Sequence, residues 1–199
     1  FIYASSSSVY GDTEVLPKVE TMTPRPKSPY AISKISGEYF SKNFYELYGL
    51  ETIGFRYFNV FGPKQDPNSQ YSAAIPKFVT ALLKNEAPTI YGDGDQTRDF
   101  TYIDNVVDAN LAACDCENRN AFGGAYNVGC GGRISLNDLI SSMKTIIGAS
   151  VEPNYTEVRS GDVRDSQADI TLLQEYFGLT DLVNLDDGLA KTIDWYRSS

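Results

Sequence analysis

Apolar and polar positions recur along this chain with two different periods, and the changes between them mark its elements. Phe1 to Ser6 (FIYASS) is aromatic and β-branched, the pattern of a strand, and Tyr10-Gly11-Asp12 is a turn signal. The serines Ser5 to Ser8 therefore fall where strand becomes loop, which in open α/β sheets is where ligands bind. From Pro29 to Leu47 apolar and aromatic residues return at helical spacing. Glu51 to Val60 (ETIGFRYFNV) reads as a nearly continuous apolar strand, and AAIPKFVTALLKN (73–85) as a helix with an early proline at Pro76.

The remainder continues in shorter pieces. PTIYGDG and RDFTYI predict short strands around a turn, and Asp104 is placed to cap a helix over DNVVDANLAACDC. A strand at AYNVG, a helix after Ser135, a strand near VEPNYTEV, a helix capped by Asp169 and a last helix ending at IDWYRSS complete the reading. There is no internal repeat and no low-complexity linker. Long β/α alternation predicts an α/β fold with a mostly parallel sheet. Residues 1–65 read as one domain and 66–199 mainly as a smaller mixed α/β one, with a stretch near 99–129 returning to the first sheet.

Composition narrows the function classes. With 199 residues, 42% hydrophobic and 22% charged, the chain is globular material, neither disordered nor membrane-like. A formal net charge of -9 argues against a nucleic-acid surface, so an anionic ligand must be held by a few placed arginines. There is no histidine, which excludes Ser-His-Asp hydrolysis, imidazole acid-base chemistry and His-ligated metals. Cys114, Cys116 and Cys130 are odd in number and lack zinc-type spacing, so no metal is expected. No signal-peptide pattern or membrane-length apolar run occurs, and a reducing cytoplasm is the expected compartment.

The chemistry-bearing stretch is SPYAISKISGEY. Tyr30 and Lys34 are four apart on a predicted helix and project from one face. An ammonium beside a phenol favours the phenolate, which turns a tyrosine into a usable base near neutral pH. An ordinary surface helix shows such pairs as well. Ser6, 24 residues upstream at a strand end, could hydrogen-bond the same substrate oxygen that Tyr30 deprotonates.

A Ser, Tyr, Lys set in this order resembles the extended short-chain dehydrogenase/reductase family, whose SSSxxVYG pattern sets the catalytic hydroxyl four residues before the tyrosine of VYG. Counting back from Tyr10 gives Ser6, with Ser5 and Ser7 lining the sugar pocket. The resemblance implies the C-terminal part of a Rossmann-type parallel sheet and a mixed α/β substrate-binding domain. It implies NAD as cofactor, with Tyr30 as acid-base, Lys34 also holding the nicotinamide ribose, and Tyr57 on the nicotinamide side. In RYFNVFGP, Asn59 would contact the phosphates of a nucleotide sugar. AAIPKF resembles a uracil-binding segment in which backbone groups read the base edge, placing Ala74, Ile75, Lys77 and Phe78 there. Tyr91 is a further implied substrate contact. Arg98, with Arg159 and Asp162 in RSGDVRD, resembles a diphosphate clamp and ribose contact, and Ser166 falls over the sugar C2 substituent.

RYFNVFGPKQDPNSQYSAAIPKF is similar to the family's UDP-N-acetylglucosamine and UDP-glucose 4-epimerases. The implied reaction is NAD-dependent epimerisation at C4 of a UDP-hexose, with UDP-N-acetylglucosamine and UDP-N-acetylgalactosamine the expected pair because Ser166 is small enough to leave room for an N-acetyl group. Tyr30 takes the 4-OH proton, hydride leaves C4, the 4-keto sugar turns over, and hydride returns to its other face. A 4,6-dehydratase of the family carries an Asp-Glu after the catalytic hydroxyl, where this chain has Ser7 and Ser8. No GxxGxxG or GxGxxG occurs, so the resemblance implies that roughly 100 residues of the dinucleotide fold, three βα units of about 30 each, lie outside this sequence. The expectation is a portion inactive alone; the alternatives are a silent fold that only binds UDP or a UDP-sugar, and a dehydratase or decarboxylase of the same family. A homodimer through the Tyr30 helix is the implied assembly.

Overall fold

The computed structural model describes residues 1–68, 74–158 and 163–198. β1 (Ile2–Ser6) leads through a 3-10 turn, Ser7–Tyr10, and a long loop into α1 (Pro29–Tyr48). The ends of α1 follow local chemistry. The Ser28 hydroxyl accepts from the Ala31 amide, Pro29 occupies the first turn, and Gly49 at φ 70 closes the helix in the left-handed region. β2 (Ile53–Tyr57) and β3 (Val60–Phe61) come next, then α2 (Ala74–Leu83), β4 (Thr89–Tyr91), β5 (Thr97–Arg98) and β6 (Thr101–Tyr102). α3 (Ile103–Cys114), β7 (Gly124–Val128), β8 (Ile134–Ser135), α4 (Leu136–Ile147), β9 (Asn154–Thr156), α5 (Thr171–Phe177) and α6 (Leu185–Ser198) complete the order.

β1, β2 and β7 form a parallel sheet in that order, with helices on both faces, which is why β2 is apolar almost throughout. Ile53 and Phe55 pack with Val106 and Ala109 of α3 and with Leu173 and Phe177 of α5. α1 covers the opposite face. The register sets Ser5, Arg56 and Asn127 side by side, a polar row across the three strands. A second core gathers α2, α4 and α6 around Phe61, Ile90 and Tyr102, beside the two-stranded pairs β3–β6, β4–β9 and β5–β8. This is the mixed α/β architecture that the pattern implied.

Three local expectations are corrected. The strand expected through Val60 ends at Tyr57, because Asn59 takes φ 32 and turns the chain out of the sheet; asparagine tolerates such backbone better than most residues. Asp104 lies in the first turn of α3 rather than capping it; the cap position is Tyr102, with no side-chain cap, and Asp104 approaches Lys191 instead (3.8 Å). Asp169 stands one residue before the α5 cap position, Ile170, and still accepts from the Thr171 amide (2.9 Å).

Candidate active site

The C-terminal ends of β1 and β2 open into a cleft of about 490 Å³. Ser6, the last residue of β1, caps the 3-10 turn, its Oγ accepting from the Ser8 amide (3.2 Å). Accepting leaves the Ser6 hydroxyl proton available for a ligand oxygen. Ser7 lines the wall, and Ser8 brings a buried hydroxyl with no hydrogen-bond partner among the described residues. Ser5 also borders the cleft, but its hydroxyl donates to Glu38 of α1. Strand alternation explains the difference, since neighbouring residues face opposite sides.

Tyr30, in the first turn of α1, reaches the cleft with 46% of its surface exposed. Lys34, one turn later, donates from Nζ to the Ala4 carbonyl (2.8 Å). Its ammonium stands 5.5 Å from the centre of the Tyr30 ring and 5.7 Å from that of Tyr3. The pair expected from spacing is thus a contact, anchored to the serine strand.

Tyr57, Asn59, Arg98 and Ser166 supply other parts of the wall. Tyr57 and Asn110 of α3 hydrogen-bond side chain to side chain (3.0 and 3.1 Å), and burial pushes the Tyr57 phenol up, with Asn110 opposing. Asn59 Nδ2 donates to the Asp99 carbonyl (2.8 Å) and to Ser166 Oγ (3.2 Å), which joins two expected substrate contacts. Arg98 Nη1 donates to the Thr97 and Arg164 carbonyls (2.9 and 3.0 Å). The Asp99 carboxylate beneath this wall accepts from the amides of Cys130, Gly131 and Ala168, yet burial outweighs those donors and lifts it to about 6.

Several functional candidates gave no individual signal in the sequence. Lys18 is 2% exposed on the cleft wall, with its ammonium donating to the Thr13 and Val15 carbonyls. Burial pulls the Lys18 pKa down, against the attraction of Asp12 and Asp165. Gln65 also lines the wall, and its Oε1 is buried and unpaired among the described residues. Below the cleft, Arg56 and Glu38 form a buried bidentate pair: Nη2 to Oε2 at 2.7 Å and Nε to Oε1 at 3.0 Å. Arg56 Nη1 donates to the Tyr10 hydroxyl (2.9 Å), which donates in turn to Asn127 Oδ1 (2.6 Å). Burial opposes the charge on Arg56, and Glu38 and Tyr10 more than offset it, so its pKa is raised.

Of the expected site residues, Ser5, Ser6, Ser7, Tyr30, Tyr57, Asn59, Arg98 and Ser166 meet on this cleft, with Lys34 beside Tyr30. Ala74, Ile75, Lys77, Phe78 and Tyr91 do not line it. The Ile75 and Phe78 side chains are buried in the second core, so the start of α2 offers a ligand its main chain and the exposed Lys77. Tyr91 is 39% exposed on β4. Arg159 and Asp162 lie outside the described residues. Among the described residues, Lys18 and Arg98 are the cations on the wall, and no carboxylate lines it.

A family model described as "NAD dependent epimerase/dehydratase family" matches residues 1–129. The chain belongs to the NAD-dependent epimerase/dehydratase family. Within it, a UDP-glucose 4-epimerase of Mycolicibacterium smegmatis is 37% identical over 196 residues, covering 98% of this chain and 61% of that protein. The solved UDP-N-acetylglucosamine 4-epimerase of Methanobrevibacter ruminantium, in complex with UDP-N-acetylmuramic acid, superposes with a TM-score of 0.93 at 39% identity. It matches 99% of this chain and 62% of its own. The UDP-glucuronic acid 4-epimerase of Bacillus cereus, solved with UDP-glucuronic acid and NAD, gives 0.90 at 33% identity over all of this chain and 61% of its own. The chain thus spans about three fifths of these relatives. The family's Rossmann-type fold agrees with the parallel sheet and flanking helices described above.

Proposed function

We propose that this chain carries the sugar-nucleotide cleft and the acid-base residues of a UDP-hexose 4-epimerase acting between UDP-N-acetylglucosamine and UDP-N-acetylgalactosamine. One observation carries the reading. In a protein of net charge -9, hydroxyls from Ser6, Ser7, Ser8 and Tyr30 meet on a cleft bearing two cations and, among the described residues, no carboxylate. Such a wall suits a neutral polyol attached to an anionic diphosphate. It also favours epimerisation over water elimination, which needs an additional acid-base pair.

Tyr30 takes the proton of the sugar 4-OH and returns it after the ring has turned, the Ser6 hydroxyl hydrogen-bonds the same oxygen, and Lys34, 5.5 Å from the Tyr30 ring centre, stands beside the reacting phenol. Asn59, Arg98 and the main chain at the start of α2 hold the nucleotide end, and Ser166 stands over the C2 substituent. Ser8 Oγ and Gln65 Oε1, buried without partners among the described residues, are polar atoms that a sugar would satisfy. Tyr30, with Lys34 beside its ring, and Tyr57 on the same cleft wall are the residues that would hold the reactive end of a bound dinucleotide. NAD supplies there the two-electron redox chemistry at C4.

The exposed apolar residues of α1, among them Tyr39, Phe40, Leu47 and Tyr48, support a homodimer through this helix. No helix among the described residues is long and apolar enough to cross a membrane. Three free cysteines suit the reducing cytoplasm that we infer as its compartment.

Two measurements test the reading. Calorimetric titration of the chain with UDP-N-acetylglucosamine is expected to show saturable binding, and its absence at millimolar ligand overturns the cleft assignment. With the part of the NAD-bound Bacillus cereus epimerase that this chain does not cover joined ahead of Phe1, Tyr30→Phe should lower epimerase turnover by roughly 10² to 10⁴. A loss below tenfold removes Tyr30 from its role.

A further inference from the structure

α1 and β1 are laced together by a ladder of side-chain contacts. The Tyr3 hydroxyl donates to the Ser33 carbonyl (3.3 Å), and Lys34 Nζ to the Ala4 carbonyl (2.8 Å). The Ser5 hydroxyl donates to Glu38 Oε1. Three consecutive strand residues thus meet two successive turns of the helix, Ser33 and Lys34 in one and Glu38 in the next. The approach is close: a Cβ on Gly37 would stand 2.1 Å from the ring of Tyr3. Only the Ser5–Glu38 rung is backed from below, by the bidentate guanidinium of Arg56 in the neighbouring strand.

We propose that Glu38 is a positioning residue: by gripping Ser5 of β1 and Arg56 of β2 together, it fixes the height and rotation of α1 over the sheet, and with them the placement of Tyr30 and Lys34 against Ser6. The proposal rests on reading those three residues as the reacting set. The neighbours make the coupling direct. Ser5 precedes Ser6, Arg56 precedes Tyr57, and Glu38 lies one turn beyond Lys34, whose own bond to Ala4 is the adjacent rung. A buried carboxylate receiving three donors from two strands has one arrangement that satisfies them all, and leaving any donor unpaired costs far more than the bond contributes. The helix is therefore held at one register on the strand, which a purely apolar contact would not enforce.

The test places 3-fluorotyrosine at position 30 of the 199-residue chain and reads its fluorine resonance at constant pH. Ser5→Ala is the decisive variant, because Glu38→Gln strands a buried guanidinium and risks unfolding the protein. Ser5→Ala should move the resonance by more than its linewidth, and Ser5→Thr, which keeps the hydroxyl, should restore it. Thr192→Val, which deletes a buried hydroxyl bond to the Gly188 carbonyl in α6, should leave the resonance in place. An unmoved signal in Ser5→Ala, or an equal shift in Thr192→Val, overturns the proposal. The signal reads the position of Tyr30 whether or not a sugar binds. A chain that fails to bind UDP-N-acetylglucosamine therefore defeats the functional reading while the resonance still decides the role of Glu38.

Discussion

Removing one charge of the Arg56–Glu38 pair should cost far more than removing both. The two side chains are 6% and 5% exposed and meet in bidentate geometry, so neither charge has water to fall back on. At an effective dielectric constant near 20, unit charges about 4 Å apart attract by about 4 kcal/mol. Arg56→Met deletes that attraction and leaves Glu38 with the Ser5 hydroxyl, a single neutral donor. Truncating one partner of a buried pair typically costs about 3 to 5 kcal/mol. For a chain of this length that lowers the melting temperature by roughly 6 to 20 °C. Adding Glu38→Leu removes the stranded carboxylate, and the double variant should recover most of the loss. Urea unfolding followed by circular dichroism on the four members of the cycle gives the coupling energy. Arg56→Met costing under about 1 kcal/mol, or a double variant no more stable than the single one, refutes the claim that this pair is desolvated and coupled.

On the proposed reading, in which Ser166 stands over the sugar C2 substituent, Ser166→Tyr should fill that part of the cleft wall. Calorimetry should then show affinity for UDP-N-acetylglucosamine falling at least tenfold further than that for UDP-glucose, in the range expected of a steric block; equal losses remove Ser166 as the gate. Asp99 gives a pH dependence. Its folded value of about 6 lies above the ordinary carboxylate range, so its contribution to stability is full below about pH 4 and is lost as pH rises through 6, by up to about 3 kcal/mol. Asp99→Asn lacks that slope, so the gap in stability between wild type and variant should narrow from pH 4 to 7, and a constant gap refutes the assignment. The 199-residue polypeptide on its own should show no micromolar affinity for NAD by calorimetry, because the sequence holds no glycine-rich turn to set a pyrophosphate on a helix N-terminus; a micromolar isotherm contradicts this.

What the sequence disclosed and what it hid divide along the range of the interactions. α1 was legible because its signal is local, apolar and aromatic residues returning at helical spacing from Pro29 to Leu47. The serine turn was legible for the same reason. The break at Asn59 was not, since the apolar run continues through it and only φ 32 at one residue ends the strand. Missed most completely was the polar row Ser5, Arg56 and Asn127, because parallel register between strands far apart in the chain has no local signature. Yet two of its participants did carry a sign. Glu38 occupies the buried stripe of α1 with Ala31 and Ile35, and Arg56 interrupts an apolar strand. A carboxylate and a guanidinium at core positions of consecutive elements can be tolerated together far better than apart. Opposite charges placed in this way on neighbouring elements are therefore legible as partners from the hydrophobic pattern alone, and the net charge of -9, carried mostly on the surface, says nothing about them. The charges that organise this cleft are the few that the same pattern, applied without pairing them, would have excluded.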